Sequence, residues 1–327
     1  EVARLLVSAK RPLIHAGSGV LWAGATRDMA ALAEAQHIPM TTSWAARAAV
    51  DERNPLSLAM PYLKAISRAR NQADLVLVLG SRLGETDWWG KPPYWAPPGR
   101  QQIVQADLDP DCIGKIRPVT VAVQADVGCF LRALSAALEG KRPAAGRAAW
   151  TESLQALARK RRAELDNKID DRAPMHSAGV ARICLEVFDE DAVCVVDGGN
   201  TAVWSHFYHQ VRTPGALLTT FKMGMLGAGV SQVLGAKVAF PGRQAYCILG
   251  DGAMGFHPQE VETAVRNELP VIWIVLCDRQ WGMVKMNQQF ALKPLKTLIK
   301  KSLSAEETIK TDLCEIEFDA LARSMGA

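Results

Sequence analysis

Residues 244–283 read QAYCILGDGAMGFHPQEVETAVRNELPVIWIVLCDRQWGM. Gln244–Leu249 is an apolar run of strand length that ends at Gly250-Asp251-Gly252. Glu260–Asn267 reads as a helix, and Val271–Leu276 is a second apolar run that ends at Cys277-Asp278-Arg279-Gln280-Trp281-Gly282-Met283. Strand, helix and strand in this order predict a parallel pair joined by a crossover helix. Pro270 stands just before the second strand, where its missing N–H costs the ladder little. In a parallel sheet both strand ends open on the same edge, the edge where ligands bind. Asp251 and Asp278 are therefore expected side by side. Carboxylates that close repel unless a cation neutralises them, and magnesium, which favours hard oxygen ligands, suits such a pair. The glycines let backbone N–H groups approach a phosphate, and the following helix points its positive end there. A plainer reading stands beside this one: GDG is common in turns, and two strand-end acids can be independent helix caps.

The same alternation extends outward. Upstream, Val193–Val196 reads as a strand ending at Asp197-Gly198-Gly199-Asn200, and the glycine-rich stretch 222–229 opens a small-residue helix, Val230–Val238. Nearer the start, strands are expected at Pro12–Ala16, His37–Thr42, Ala73–Leu79, Gln102–Ala106 and Val119–Val123, with helices at Asp28–Gln36 and from Asp126 to about Leu138. Ala73–Leu79 is almost continuously apolar, as a strand buried on both faces should be. Gly140–Arg147 is a linker by composition, and Ala148–Asn167 reads as a polar helix crossing between domains. The expected fold class is α/β, with two three-layer domains over 1–139 and 174–327 divided by a linker and crossing helix over 140–173. Each sheet is expected to be parallel, with six strands or a similar number.

Composition narrows the function classes. The chain has 327 residues, 49% of them apolar, and a formal net charge of +4, so two ordinary domains with large cores fit it. Its basic clusters, Lys160-Arg161-Arg162 and Lys300-Lys301, are short and read as solvated helix faces, so no nucleic-acid partner is expected. Seven cysteines without a CxxC pair argue against a zinc site, and their place in apolar runs suits a reducing cytoplasm. No apolar stretch reaches the roughly 18–20 residues of a membrane span. No signal peptide is read at the start. The chain begins with Glu1 in an apparent helix and stops in another, and a missing piece is expected at each end.

The Gly250-Asp251-Gly252 and Cys277-Asp278 pair resembles the thiamine-diphosphate (ThDP) binding motif, GDG followed at a distance by Asn-Asn. Gln259-Glu260, Thr263-Ala264-Val265-Arg266 and Leu269-Pro270-Val271 are similar to the helix and strand entry inside that motif. Gly282-Met283-Val284-Lys285 resembles the GMVK of acetolactate synthase catalytic subunits. Leu226-Gly227-Ala228-Gly229 and Asp197-Gly198-Gly199-Asn200 resemble two further family segments. RPLIHAGSGV, ADLVLVLGSRLGE and ADLDP, all before residue 140, are similar to the family's Rossmann-type, DHS-like central domain. The chain is thus identified as a member of the ThDP enzyme family, acetolactate synthase-like.

The resemblance implies roles by position. Asp251, the Asp278 side chain and the Gln280 carbonyl would ligate Mg2+. Gly250 belongs to the diphosphate turn, and Gly252 and Ala253 would offer N–H groups to the diphosphate. Gly199 and Asn200 would touch its far side. Leu226 would be the wedge that bends ThDP into its V shape, the Gly224 carbonyl would accept from the cofactor's 4'-amino group, and Met283 would line the pocket near the rings. The activating glutamate of this family lies on an N-terminal pyrimidine-binding domain of the same or another subunit, so such a domain is an implied partner, in a homodimer or homotetramer. The implied substrate is a 2-oxo acid, which is decarboxylated and then ligated to a second carbonyl. Two alternatives stay open: a ThDP lyase or decarboxylase on a bulkier 2-oxo or 2-hydroxyacyl substrate, and a cofactor-less interaction module.

Several positions depart from the pattern. Cys277 and Asp278 stand for the two asparagines, Leu226 for a methionine, and Asn287 for a tryptophan that shapes the acceptor pocket in acetolactate synthases. Trp281 and His257 also differ, which leaves the substrate open. Some relatives hold FAD in the central domain, and Gly17, Gly19, Arg82, Asp107 and Asp126 stand at positions where such ligands are held. Against FAD, Met60-Pro61-Tyr62 replaces the family's MHG segment, and Gly84-Glu85-Thr86 replaces its Asp-Asp-Arg.

Overall fold

In the computed structural model the described residues are 1–170, 173, 175–220, 223–300 and 307–327. Pro174, where the second unit was expected to open, Lys222 at the head of the glycine-rich stretch, and Lys301 of the second basic cluster lie outside them.

The chain forms two compact units, Glu1–Ile169 with Gln210–Gly215, and Asp170–His209 with Ala216–Ala327. The first contains strands β1 (Pro12–Ala16), β2 (Met40–Thr42), β3 (Leu75–Leu79), β4 (Gln102–Asp107) and β5 (Val121–Gln124). They pair in the order β2-β1-β3-β4-β5, all parallel. The second contains β6 (Val193–Val196), β7 (Leu217–Thr219), β8 (Ala245–Gly250) and β9 (Ile272–Leu276), in the order β7-β6-β8-β9, again all parallel. The parallel α/β architecture is as expected. The sheets differ from expectation in size, with five and four strands among the described residues instead of about six. β7 was not foreseen: three residues after the Pro214-Gly215 turn are too short to show a period.

Successive residues of β3 point to opposite faces, as strand geometry requires. Leu75, Leu77 and Leu79 join one core with Leu6, Met29 and Leu131 of the helices on that side. Val76 and Val78 join the other, with Ala65, Ile66 and Ala69 of the helix Leu63–Gln72. That second core also takes Trp150, Leu154 and Ala158 from the helix Arg147–Asp166. The crossing-helix reading is therefore corrected. An apolar stripe at i, i+4 and i+8 seats this helix on the first sheet, although most of its residues are polar. Buried Arg147 fastens its first turn, donating from Nε to the Ala9 carbonyl (3.0 Å) and from a terminal nitrogen to the Gln36 carbonyl (2.7 Å), and also to the Leu6 carbonyl. These carbonyls lie at the ends of the helices Val2–Ser8 and Thr26–Gln36, where cations are favoured.

A buried polar cluster sits beneath the loop after β3. His15 Nε2 lies 3.2 Å from Asp87 Oδ1, and its Nδ1 lies 3.1 Å from Thr41 Oγ1. Arg70 lies 3.4 Å from the same carboxylate, and Trp95 Nε1 donates to the Asp87 carbonyl at 2.8 Å. Burial pushes the His15 imidazole below its ordinary 6.5 despite Asp87. Burial also raises the Asp87 carboxyl, but His15, Arg70 and Ser81 together hold it below its ordinary value. With His15 depressed in the fold, the unfolded chain binds the extra proton in the window just below 6.5, so stability is lost as pH falls into that window. The Asp87 contribution is lost in the same direction, below its ordinary 3.8. The melting temperature should therefore fall between about pH 7 and about pH 5, with a shallower slope in His15→Gln. An unchanged slope in that variant would dissociate His15 from the acid sensitivity.

Candidate functional site

In the second unit the site forms where β6, β8 and β9 end. Parallel pairing aligns Val196 with Ile248 and Gly250 with Leu276, so the three turns that follow are neighbours. They are 197–200, 250–253 and 277–283. Asp251 is buried, with one oxygen accepting from its own neighbour Gly252 (2.8 Å) and the other from the Arg279 N–H (2.7 Å). The second bond ties the β8 turn to the β9 turn. Arg279 makes it in a left-handed conformation, φ 55°. Asp278 Oδ1 accepts from the Gln280 N–H at 3.2 Å, which folds that turn back on itself.

One cavity gathers nearly all of the residues expected from the sequence. Gly199, Asn200, Leu226, Gly250, Asp251, Gly252, Ala253, Asp278, Gln280 and Met283 line it, along with Gly198, Thr201, Trp281, Gly282 and Val284. Gly224 is not among its lining residues; it sits in a turn at φ 65°, its N–H donating to the Thr220 carbonyl (2.9 Å). The glycines are sterically needed. A Cβ on Gly199 would come within 2.7 Å of Met283 Cβ, and one on Gly252 within 2.8 Å of the Trp281 ring. The cavity is small, about 60 Å³, with the Trp281 ring lying on Gly252 and the Phe256 ring 5.7 Å from it.

Two carboxylates at one cavity cost each other. Burial, followed by the charge of Asp251, raises the Asp278 carboxyl. A cation between them would relieve that cost, so the donor set suits a hard divalent ion. Among the described residues no group of three or more His, Cys, Asp or Glu side chains gathers as a metal cluster. The expected set is of another kind, two carboxylates and a main-chain carbonyl. Cys277 faces a different cavity of about 880 Å³, lined also by Val275, Leu313 and Phe318. Burial and the charges of Asp251 and Asp278 raise its thiol. The Cys-for-Asn departure thus lies off the Asp278 cavity and adds no charge there at neutral pH.

Sequence reading missed two contributors. The Arg279 N–H that holds Asp251 belongs to the main chain, which any residue supplies, so no side-chain signal marks it. Thr201 Oγ1 would lie 3.2 Å from a Cβ on Gly250, and a threonine after a glycine-rich turn has no distinctive pattern.

The central-domain residues considered for FAD are engaged locally. The Gly17 and Gly19 N–H groups donate to the carbonyls of Leu79 (2.8 Å) and Gly80 (3.1 Å). Arg82 pairs with Glu85 at 3.0 Å, Asp107 accepts from the Asp109 N–H at 3.1 Å, and Asp126 caps its helix at the Cys129 N–H, 2.9 Å. Each of these contacts serves the fold itself, and nothing in them points to FAD. Among the described residues no helix is long and apolar enough to cross a membrane.

Comparison with known proteins agrees with this geometry. Residues 1–134 match the family described as thiamine pyrophosphate enzyme, central domain, and residues 197–327 match its C-terminal TPP binding domain. The chain is 30% identical to a sulfoacetaldehyde acetyltransferase of Castellaniella defragrans over 99% of its own length and 56% of the relative's. It is 30% identical to the acetolactate synthase isozyme 1 large subunit of Escherichia coli, over 88% of this chain and 50% of that one. A Mycobacterium tuberculosis acetolactate synthase large subunit is also 30% identical, over 100% and 55%. The chain spans about half the length of the curated relatives it matches. On these matches and the strand-end site, the chain belongs to the thiamine pyrophosphate enzyme family and is of the acetolactate synthase-like type.

Proposed function

We propose that this chain carries the magnesium- and diphosphate-gripping half of a ThDP site that decarboxylates 2-oxo acids and ligates the product to a second carbonyl. The observation that carries the reading is the single cavity shared by Asp251, Asp278, Gln280 and the glycine turns of β6 and β8. When bound, ThDP supplies the electron sink for loss of CO2, and the protein's part is to orient and desolvate it. Asp251, Asp278 and the Gln280 carbonyl hold Mg2+. The Gly252 and Ala253 N–H groups face the diphosphate, with Gly199 and Asn200 opposite. Leu226 is the wedge, Gly224 offers its carbonyl, and Met283 packs near the rings. Trp281 has to swing off Gly252 for a diphosphate to enter.

The face around the cavity is apolar: Met223, Met225, Phe256 and Val284 are exposed by 83%, 58%, 52% and 47%. A pyrimidine-binding domain would cover it, as in a homodimer or homotetramer, and without that cover it favours self-association.

A competition titration tests the reading. ThDP with magnesium should bind saturably, while thiamine, which lacks the diphosphate, should bind at least about 30-fold more weakly. Equal affinity for the two would remove the diphosphate site from the proposal. Thermal denaturation with and without thiamine diphosphate gives the same comparison independently.

A further inference from the structure

Asp197 closes β6 and is fully buried, yet the roles assigned above leave it unused. A buried carboxylate persists only where donors surround it. Its Oδ1 accepts from the Gly198 N–H at 2.5 Å and from Thr220 Oγ1 at 3.4 Å. Its Oδ2 accepts from the Gly229 N–H at 2.8 Å, and the Gly227 N–H also faces the carboxylate. Gly227 and Gly229 stand at the start of the helix Ala228–Ala239, whose own N-cap is a glycine without a side chain. A helix start presents free N–H groups and a positive dipole end, so an anion from another element can cap it. Close approach requires glycine: a Cβ on Gly229 would lie 2.6 Å from Asp197 Cβ. One side chain thereby joins two walls, the 198–200 turn and the turn that carries Leu226 into the helix.

We propose that Asp197 is a positioning residue of the cofactor site, whose carboxylate fixes the Met223–Leu226 turn to the Gly198 turn and so sets the wedge opposite the diphosphate cradle. The inference rests on the ThDP reading. Asp197 touches neither metal nor diphosphate in that reading: Asp251, Asp278 and Gln280 come from the other two turns, and Gly199 and Asn200, which face the diphosphate, follow directly on β6, whose pairing with β8 holds their turn without the Asp197 side chain. Its loss should therefore loosen the wedge and spare the magnesium–diphosphate grip. An amide in its place keeps the shape but turns an N–H2 group toward one of the glycine N–H groups.

The test uses Asp197→Asn in the full chain, with ThDP and inorganic pyrophosphate as separate probes, each with magnesium. ThDP affinity should fall by at least about tenfold, and pyrophosphate affinity should change by less than about threefold. Equal loss for both probes, or no loss for either, overturns the inference. Hydrogen exchange on the unliganded chain gives a readout free of the cofactor. Amides of residues 223–226 should exchange faster in the variant than in the wild type, and unchanged exchange overturns the inference even if ThDP binds the wild type as proposed. Should Asp197→Asn fail to fold, Gly229→Ala, which pushes the helix start off an intact carboxylate, should show the same selective loss. A wild-type chain that binds pyrophosphate but shows no added affinity for ThDP would overturn the wedge assignment and this inference together.

Discussion

Replacing Asp251 with alanine is expected to abolish magnesium-dependent ThDP retention, with an affinity loss of at least about 100-fold. The effect is large because two functions sit on one carboxylate. In the proposed site Asp251 is a direct metal ligand. It also accepts the Arg279 N–H at 2.7 Å, the bond that brings the turn bearing Asp278 and Gln280 to the end of β8. The substitution removes one ligand and releases the other two. Calorimetric titration with ThDP and magnesium measures it, with circular dichroism to verify the fold. Retention at wild-type affinity would refute the role. Asp278→Asn should be milder, since it keeps an oxygen ligand and removes the like-charge cost that raises the Asp278 carboxyl.

The second large effect is an absence of turnover. Supplied with magnesium, excess ThDP and pyruvate, the chain alone should decarboxylate no faster than within about tenfold of free ThDP, against accelerations of about a million-fold or more for complete enzymes. Among the described residues the acids lining the cavity are Asp251 and Asp278, with no glutamate. In the proposed site both aspartates hold the metal, which leaves no acid among the described lining residues to activate the aminopyrimidine. In the proposed reading that glutamate lies on a pyrimidine-binding domain, which the exposed apolar side chains of Met223, Met225 and Phe256 would meet. A rate many orders above free ThDP would mean that another acid in this chain does the work. Product analysis after adding such a domain would then separate carboligation from simple decarboxylation of a bulkier substrate.

The fold was legible wherever apolar runs are long or sharply bounded. Pro12–Ala16 and Val193–Val196 are strands over the expected residues, each stopped by a glycine turn. The continuous apolar run of β3 marks a strand covered on both faces, and both cores meet there. β7 was hidden by its length and by Leu218, which faces outward. The helix Arg147–Asp166 misled because its charged residues outnumber the apolar ones that pack. The return of Gln210–Gly215 to the first unit rests on main-chain bonds, such as Gly215 N–H to the Ala48 carbonyl at 2.9 Å, which leave no mark on composition.

The site divides in the same way. Its side-chain acids and glycines stand at strand ends, where parallel pairing alone puts them together, so their gathering was readable from order and spacing. What holds them was not. The Arg279 N–H on Asp251 and the glycine N–H groups on Asp197 are backbone donors whose direction depends on left-handed turns at Arg279, Gly198 and Gly227. The ring of Trp281 over Gly252 was equally invisible, since sequence gives the residue and not its rotamer.

Anomalous scattering from crystals soaked with manganese and ThDP tests the metal–diphosphate site most directly, because manganese prefers the same oxygen ligands as magnesium and can be located by its own signal. One manganese peak is expected between the Asp251 and Asp278 carboxylates and the Gln280 carbonyl, with diphosphate density against Gly252 and Ala253. Manganese at any other place in the second unit, or ThDP bound with no metal beside Asp251, would contradict it.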